Sequence, residues 1–573
     1  MLQTLTTPRG ETLSGTPWQV YPRPQMRRDS YINLNGEWDF AVSREEPATF
    51  DMRITVPFCP ESRPSGIGRH FEEGAPLWYR RRFLLPEGFR RERVLLHIGA
   101  ADQIAEVFVN GQHLCRHEGG YASFCVDITE ALAEENELVI RCTDDLHDQA
   151  FPYGKQVMNR GGMWYTPVSG IWQTVWLESV PGTYIENLNI ENHGASVTIS
   201  TVPPLEGTVS VEPLGQFPLE NGQVTIAPEN PHFWCPDDPY LYHFTLETAQ
   251  DRVESYFAIR SLAIKKVGEY PRLCLNGKPY FFHGLLDQGY WPEGLLTAPA
   301  PESYADDILA MKRLGFNTLR KHIKVEPEEF YYQCDRLGMI VWQDMVNNGS
   351  YRYFRDTVLP TIGIQKRNDR RLHSDERSRN TFRQGAADAV NQLKNHPCIC
   401  YWTIFNEGWG QFDSDRVCGW FRTLDVTRFI DTTSGWFRGK NTDVDSRHQY
   451  FGKLRLTGDG LRPLVLSEFG GKTWRVEGHI FNPDKTYGYG ACPTREALNE
   501  AVAALYRESI VPAVEKGLCA AIYTQVSDVE DEVNGLITYD RRVVKLDADT
   551  MLPISRALQD AMEKTVASFE KMG

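Results

Sequence analysis

Residues 303–342 read SYADDILAMKRLGFNTLRKHIKVEPEEFYYQCDRLGMIVW. Ile308, Leu309, Met311 and Leu314 recur at the spacing of one helical face, so Ser303 to Leu314 is predicted as an amphipathic helix. Thr318-Leu319-Arg320 reads as a short strand, Glu328 to Leu337 as a second helix, and Met339-Ile340-Val341-Trp342 as the next strand. A strand, a helix and a further strand in this order are the repeating unit of a parallel sheet, because the helix carries the chain back to its starting edge.

The same alternation continues on both sides. Tyr280-Phe281-Phe282-His283-Gly284 precedes it as a strand. Downstream lie Ile399 to Ile404, Val444 to Tyr450, Leu464-Val465-Leu466 and Ala520 to Tyr523, with helices between most of them. Residues 268–573 are therefore expected to form a (β/α)8 TIM barrel. A doubly wound sheet is the structural alternative, and no Gly-rich phosphate fingerprint opens any helix to favour it.

The upstream half has a different texture. Val94 to Ile98, Val107-Phe108-Val109, Phe124-Cys125-Val126, Leu138-Val139-Ile140 and Thr174 to Leu177 are short strand-like runs, and Asn110-Gly111 is a hairpin signal. Residues 1–181 are expected to form a β jelly-roll sandwich. Residues 182–267 carry Val197-Thr198-Ile199, Val209-Ser210-Val211 and Tyr242 to Leu246 between Pro and Gly turns, the size and pattern of an immunoglobulin-like β-sandwich.

Composition narrows the function. The formal net charge of -15 argues against a nucleic-acid partner, since phosphate contacts need surplus Lys and Arg. No run of about 18 apolar residues suggests a membrane span. The first nine residues lack a signal-like apolar stretch, and the 12 Cys include no Cys-x-x-Cys pair. These features lead us to expect a cytoplasmic protein with free thiols and no metal site. Asn347 to Arg379 is long, polar and cationic, with Arg352, Arg355, Lys366, Arg367, Arg370 and Arg371. It is read either as a substrate lid or as a solvated surface or subunit contact.

Two predicted barrel strands end in a carboxylate: Ile404-Phe405-Asn406-Glu407-Gly408-Trp409 and Val465-Leu466-Ser467-Glu468-Phe469. Chemistry in a parallel barrel sits at the C-terminal strand ends. A bare charge set into an apolar wall costs several kcal/mol, so such an acid is usually paired or functional. Glycoside hydrolysis needs two such groups, one to protonate the leaving oxygen and one to attack the anomeric carbon or hold a water. Glu407 and Glu468 are the candidate catalytic pair, and the alternative is a structural ion pair. Asn406 is placed to hydrogen-bond a sugar 2-hydroxyl. No cofactor is called for, and no phosphate loop, His-Glu-x-x-His helix or Gly-x-Ser-x-Gly elbow is present.

At these residues the chain resembles glycoside hydrolase family 2, the family of β-galactosidase, β-glucuronidase and β-mannosidase. The supporting motifs run along nearly the whole chain. They include Leu34-Asn35-Gly36-Glu37-Trp38, Trp78 to Phe83, His117 to Tyr121, Gly170-Ile171-Trp172-Gln173, Pro236 to Tyr242, Tyr256 to Arg260 and Leu275 to Pro279. The resemblance implies a retaining double displacement, with Glu407 as acid/base and Glu468 as nucleophile. It implies that Tyr450 hydrogen-bonds the nucleophile, and that Arg320 and His322 match the Arg and His after the second strand. Only Lys321 separates those two here, where the family usually has two residues, so a packed strand-end His is an equal reading of His322.

Other departures concern the sugar. The segment around Asp287 lacks the Arg-His-Glu of many β-galactosidases, and Asp287 is a candidate for binding sugar hydroxyls in its place. Leu536 stands where β-glucuronidases carry a Lys whose cation recognises the uronic acid, which counts against a β-glucuronide, and the arginines of the loop 347–379 are the alternative source of a cation. Trp291, Trp409 and Trp436 are read as stacking surfaces or as wall. Asp344 is read as a hydroxyl ligand or a support for Arg320. The expected substrate is a terminal β-linked sugar, β-galactoside-like first, with glucuronides, galacturonides, mannosides and arabinosides kept open. A non-catalytic carbohydrate-binding protein is the rival class. A homo-oligomer and a structural metal find neither support nor exclusion.

Overall fold

The computed structural model describes residues 2–570 apart from 362, 363, 365–367, 438, 453 and 455. Lys366 and Arg367 of the expected cationic loop lie outside the described residues.

The upstream region forms two β-sandwiches. In the first, a six-stranded sheet faces a four-stranded one. Strand Asn136–Thr143 alternates buried and half-buried residues along its whole length, as a strand with one face on a core must. Trp38, Phe40, Leu96, Ile98, Leu138, Ile140 and Leu177 fill the space between the sheets. Asn110 and Gly111 both adopt positive φ (50° and 79°) between strands Ile104–Val109 and Gln112–Glu118, the turn geometry that a two-residue hairpin needs. The second sandwich packs a three-stranded sheet on a four-stranded one around Ile199, Val209, Leu246, Val253 and Phe257.

The rest is an eight-stranded parallel barrel: β1 Phe282–Asp287, β2 Thr318–Lys321, β3 Ile340–Asp344, β4 Ile399–Asn406, β5 Phe429–Ser434, β6 Asp445–Gln449, β7 Leu464–Gly470 and β8 Leu518–Thr524. Hydrogen bonding runs in the order β5-β4-β3-β2-β1-β8-β7-β6. Helices α1 Glu302–Arg313 and α2 Glu328–Leu337 lie where the apolar spacing puts them. Gly338 ends α2 at φ +74°, with an added Cβ falling 2.4 Å from the Pro236 carbonyl oxygen, so a side chain here meets both strain and backbone.

Strand β5 was not legible as a strand, because Asp431-Thr432-Thr433-Ser434 looks like a turn cluster. All six of its residues are buried. Along the β5–β6 seam, Asp443 N–H donates to the Ile430 carbonyl at 2.9 Å, and Ile430 N–H donates to Asp443 Oδ2 at 2.8 Å. The segment 347–379, expected to be irregular, is helical over Phe354–Val358 and Leu359–Thr361 and joins helix Glu376–Leu393 at its end.

Two sets of contacts hold the parts together. Asp335 at the base of the barrel accepts from Tyr256 of the second sandwich at 2.8 Å, and Arg260 donates to the Ile399 carbonyl at 2.7 Å. Arg28 bridges the two sandwiches, donating to Glu178 at 2.9 Å and to Asp251 at 2.7 Å, with all three side chains buried. Burial alone would raise the Glu178 carboxyl, but Arg23, His97 and Arg28 outweigh it and hold it well below the ordinary carboxylate range. Its contribution to stability is therefore complete above pH 5 and is lost as pH falls through that depressed value. We predict that Arg28→Ala leaves buried Asp251 without its ion-pair partner, while Glu178 keeps Arg23 and His97, and lowers stability by about 3–5 kcal/mol. Thermal melts compared at pH 7 and pH 3 check this: an unchanged melting temperature at pH 7 would count against it.

A third contact shapes the barrel mouth. The stretch 144–169 of the first sandwich leaves its sheets and lies along the strand ends. Tyr153 donates to the Gly349 carbonyl at 2.8 Å, Arg160 pairs with Asp531 at 2.8 Å, and Tyr165 donates to Glu532 at 2.5 Å.

Candidate active site

Glu407 is the first residue after β4 and Glu468 lies within β7, so both emerge at the C-terminal rim. Glu407 takes a positive φ of 50°, and its N–H bonds the Ser434 carbonyl of β5 at 2.9 Å, which turns the chain out of the barrel wall at this point. Gly408 follows at φ +79°, where a Cβ would fall 2.3 Å from the Phe437 ring. This tight turn brings Trp409 back across the mouth.

Arg320, on β2 and fully buried, is the hub. It donates to Asp344 at 2.9 Å, to Glu468 Oε1 at 3.0 Å and to Asn406 Oδ1 at 2.9 Å. A planar guanidinium with donors in a fixed fork suits this task better than a lysine. Burial would raise the Glu468 carboxyl, but His448, Arg320, His322 and the Tyr450 hydroxyl together hold it below its ordinary value. Tyr450 donates to Glu468 Oε2, and its ring stacks on Tyr489 at 4.0 Å.

His448 completes the centre, and it was not among the residues singled out in the sequence. Its Nδ1 lies 2.8 Å from Glu407 Oε1 and 3.6 Å from Glu468 Oε2. Its Nε2 lies 3.3 Å from Arg320 Nη1 and 3.0 Å from Ser434 Oγ. Arg320 only donates, so Nε2 accepts and the proton is assigned to Nδ1, facing Glu407. One donor atom from each of Glu407, His448 and Glu468 lies within 4.8 Å of the others. A signal existed: His448 lies two residues before Tyr450, which directly follows β6, and extended backbone puts residues two apart on the same side.

The other predicted residues divide by environment. Asp344 supports Arg320 and also meets His322 Nδ1 at 2.8 Å, and the His322 ring stands edge-on to Trp409 at 6.4 Å. Trp409 stacks on Trp164 at 5.2 Å, and Trp436 stands edge-on to His448 at 6.5 Å, half-buried. Asp287 is engaged by Lys321 at 2.6 Å and by the Gly289 N–H at 3.0 Å. Trp291 is buried beneath Arg541, whose guanidinium carbon lies 4.0 Å from the ring centre. The Nδ2 of Asn406 and the indole N–H groups of Trp409 and Trp436 have no partner among the described residues.

Two groups of described residues have the spacing of metal ligands. One is Glu407, His448 and Glu468; the other is Glu73, Asp145 and His147, partly exposed on the first sandwich. In the first, the imidazole N–H already lies between the two acids, which accounts for their approach without an ion.

We predict that His448→Ala lowers kcat on an aryl β-glycoside by roughly 10–100-fold, in line with the loss of one oriented hydrogen bond to a reacting carboxylate. An unchanged kcat would show that His448 only fills space.

Three family models match this chain. One described as the TIM barrel domain of glycosyl hydrolases family 2 covers residues 267–454. One described as a glycosyl hydrolase 2 galactose-binding domain-like module covers 70–160, and one described as glycosyl hydrolases family 2 covers 183–260. The beta-galactosidase of Thermoanaerobacter pseudethanolicus is 24% identical over 416 residues, 66% of this chain and 52% of that protein. The beta-glucuronidase of Bacteroides fragilis is 22% identical over 407 residues, 66% of this chain and 56% of that one. The chain thus spans about half the length of these two relatives. A solved beta-glucuronidase from an uncultured Clostridium superposes with a TM-score of 0.70 at 18% identity, covering 96% of this chain and 100% of that one.

Proposed function

The chain belongs to glycoside hydrolase family 2, and from that premise we propose that it is a retaining exo-β-glycosidase with Glu468 as nucleophile and Glu407 as acid/base. The observation that carries this reading is the approach of the two carboxylates, from β4 and β7, to within 4.8 Å around one imidazole. Retaining enzymes keep their carboxyl groups about 5–5.5 Å apart, whereas inverting enzymes need the wider gap that holds a water.

The chemistry follows from the positions. Glu468 is held ionised by Arg320, His448 and Tyr450, so its oxygen is ready to attack the anomeric carbon. The protonated carboxyl of Glu407 gives its proton to the glycosidic oxygen as the bond breaks, and the bonding pair leaves with the aglycone. The sugar is left as an ester of Glu468. Glu407, now a carboxylate, takes a proton from water. The water oxygen attacks the same carbon and displaces Glu468, restoring both groups with net retention. Asn406 Nδ2, without a partner among the described residues, is a donor available to the 2-hydroxyl. Arg320 holds the amide in place through its oxygen.

A panel of aryl β-glycosides tests the reaction class. Turnover of at least one, with the β-anomer as the first product by NMR, is the expected result. An α-anomeric first product would overturn retention. Binding of sugars without turnover of any panel member would favour the non-catalytic carbohydrate-binding reading. The same panel separates the β-galactoside first expected from the acidic sugars kept beside it.

A further inference from the structure

Four lysines are buried among the described residues: Lys155, Lys321, Lys324 and Lys545. Three meet carboxylates. Lys321 pairs with Asp287 and Glu326, Lys324 with Glu326, and Lys545 with Asp528. Lys155 makes no ion pair with any described carboxylate. Its Nζ instead lies 4.9 Å from the Trp409 ring centre, 5.9 Å from Trp164 and 6.0 Å from Tyr165. Aromatic faces attract a cation through their quadrupoles but supply no counter-charge.

Its place is the barrel mouth. Trp409 is the second residue after Glu407, and Lys155 lies within electrostatic reach of Glu532, Glu468 and Glu407. Glu532 commits both of its oxygens elsewhere, accepting from Tyr165 at 2.5 Å and from Asn534 at 2.9 Å. Two other cations of the barrel mouth are committed. Arg320 serves Asp344 and Glu468, and Arg160 serves Asp531. In the loop 347–379, Arg355 pairs with Asp356, and Arg379 donates to the carbonyls of Leu372 and His373.

An ammonium taken from water without a partner is held at a cost that a bound anion removes. We propose that Lys155, brought to the barrel mouth by the first sandwich, is the specificity-determining residue of the sugar pocket, and that it recognises the carboxylate of a β-linked uronic acid. This rests on the glycosidase reading above. One ammonium against Trp409, two residues from Glu407, matches one carboxylate on the ring being cleaved. A neutral sugar offers hydroxyls that leave the charge uncompensated. Burial lowers the affinity of Lys155 for its proton and raises the carboxyl of Glu532, in keeping with a site short of a counter-ion.

The test compares aryl β-D-glucuronide and β-D-galacturonide with the matched glucoside and galactoside, on wild type, Lys155→Gln and Lys155→Arg. Wild type is expected to prefer a uronide in kcat/KM. Lys155→Gln should lose about 100-fold more on that uronide than on its neutral match, as expected for removing one partner of a desolvated charge pair. Lys155→Arg should recover part of the loss. Preference for a neutral glycoside, or equal losses on both, would overturn the assignment. A binding arm separates this from the reaction itself: calorimetry with free glucuronate and galacturonate, against glucose and galactose. If no glycoside turns over but uronate binding is lost in Lys155→Gln, the glycosidase reading fails and the role of Lys155 stands. If uronate binding is indifferent to the substitution, the role of Lys155 fails whatever the turnover. Lys155→Met, which keeps the apolar stem, replaces the Gln variant if that one melts well below wild type.

Discussion

Glu468→Gln is expected to lower kcat for the best aryl β-glycoside by on the order of 10⁴-fold, the scale seen when a nucleophile is removed from an otherwise intact site. Glutamine keeps the size of the side chain but offers one oxygen and one NH2 group, so only one of the two donors, Arg320 and Tyr450, keeps its acceptor. What disappears is the negative charge and the oxygen that forms the sugar ester. On the wild type, an activated 2-deoxy-2-fluoro glycoside should leave its sugar on the peptide containing Glu468, because the fluorine slows the second displacement more than the first. Mass spectrometry of the digest reads this directly. A label on any other acidic residue, or a Gln variant within tenfold of wild type, removes Glu468 from the role proposed for it.

Glu407→Ala is expected to lower kcat by roughly 10²–10⁴-fold on substrates with a poor leaving group, the range for loss of general acid-base assistance. The effect should shrink as the leaving group improves, since an aglycone that departs without a proton has no need of Glu407 in the first step. Removing the side chain also opens space beside His448 Nδ1. Added azide, a nucleophile that needs no base, should then restore turnover and give a β-glycosyl azide. An Ala variant whose loss is the same for all leaving groups, with no response to azide, would show that Glu407 shapes the site but does not move a proton.

How much of this was legible beforehand differs from element to element. The helices around Met311 and Phe330 and the apolar strands β3 and β4 declare themselves, because burying one face or one run of side chains imposes a period on the residues. Strand β5 does not, because the barrel interior near the rim is polar. Asp431, Thr432, Thr433 and Ser434 are buried there among other polar groups, not against an apolar layer. In the cationic loop, Arg352, Arg370 and Arg371 stay exposed, and two other arginines are spent within the loop itself. Arg355 bonds the next residue and Arg379 bonds the loop's own carbonyls. Charge counted along a chain does not say where the charge is spent.

The sequence by itself determined the two sandwiches, the parallel barrel and the two strand-end glutamates, since each is written in local patterns that burial and turn geometry enforce over a few residues. Only the tertiary structure decided that His448 stands between the two acids, that Asp287 is occupied by Lys321, and that Lys155 arrives at the barrel mouth from a separate sandwich with no ion pair to a described carboxylate. Those are contacts between residues tens to hundreds of positions apart. Their energies depend on distance and desolvation in space, and no local period records them.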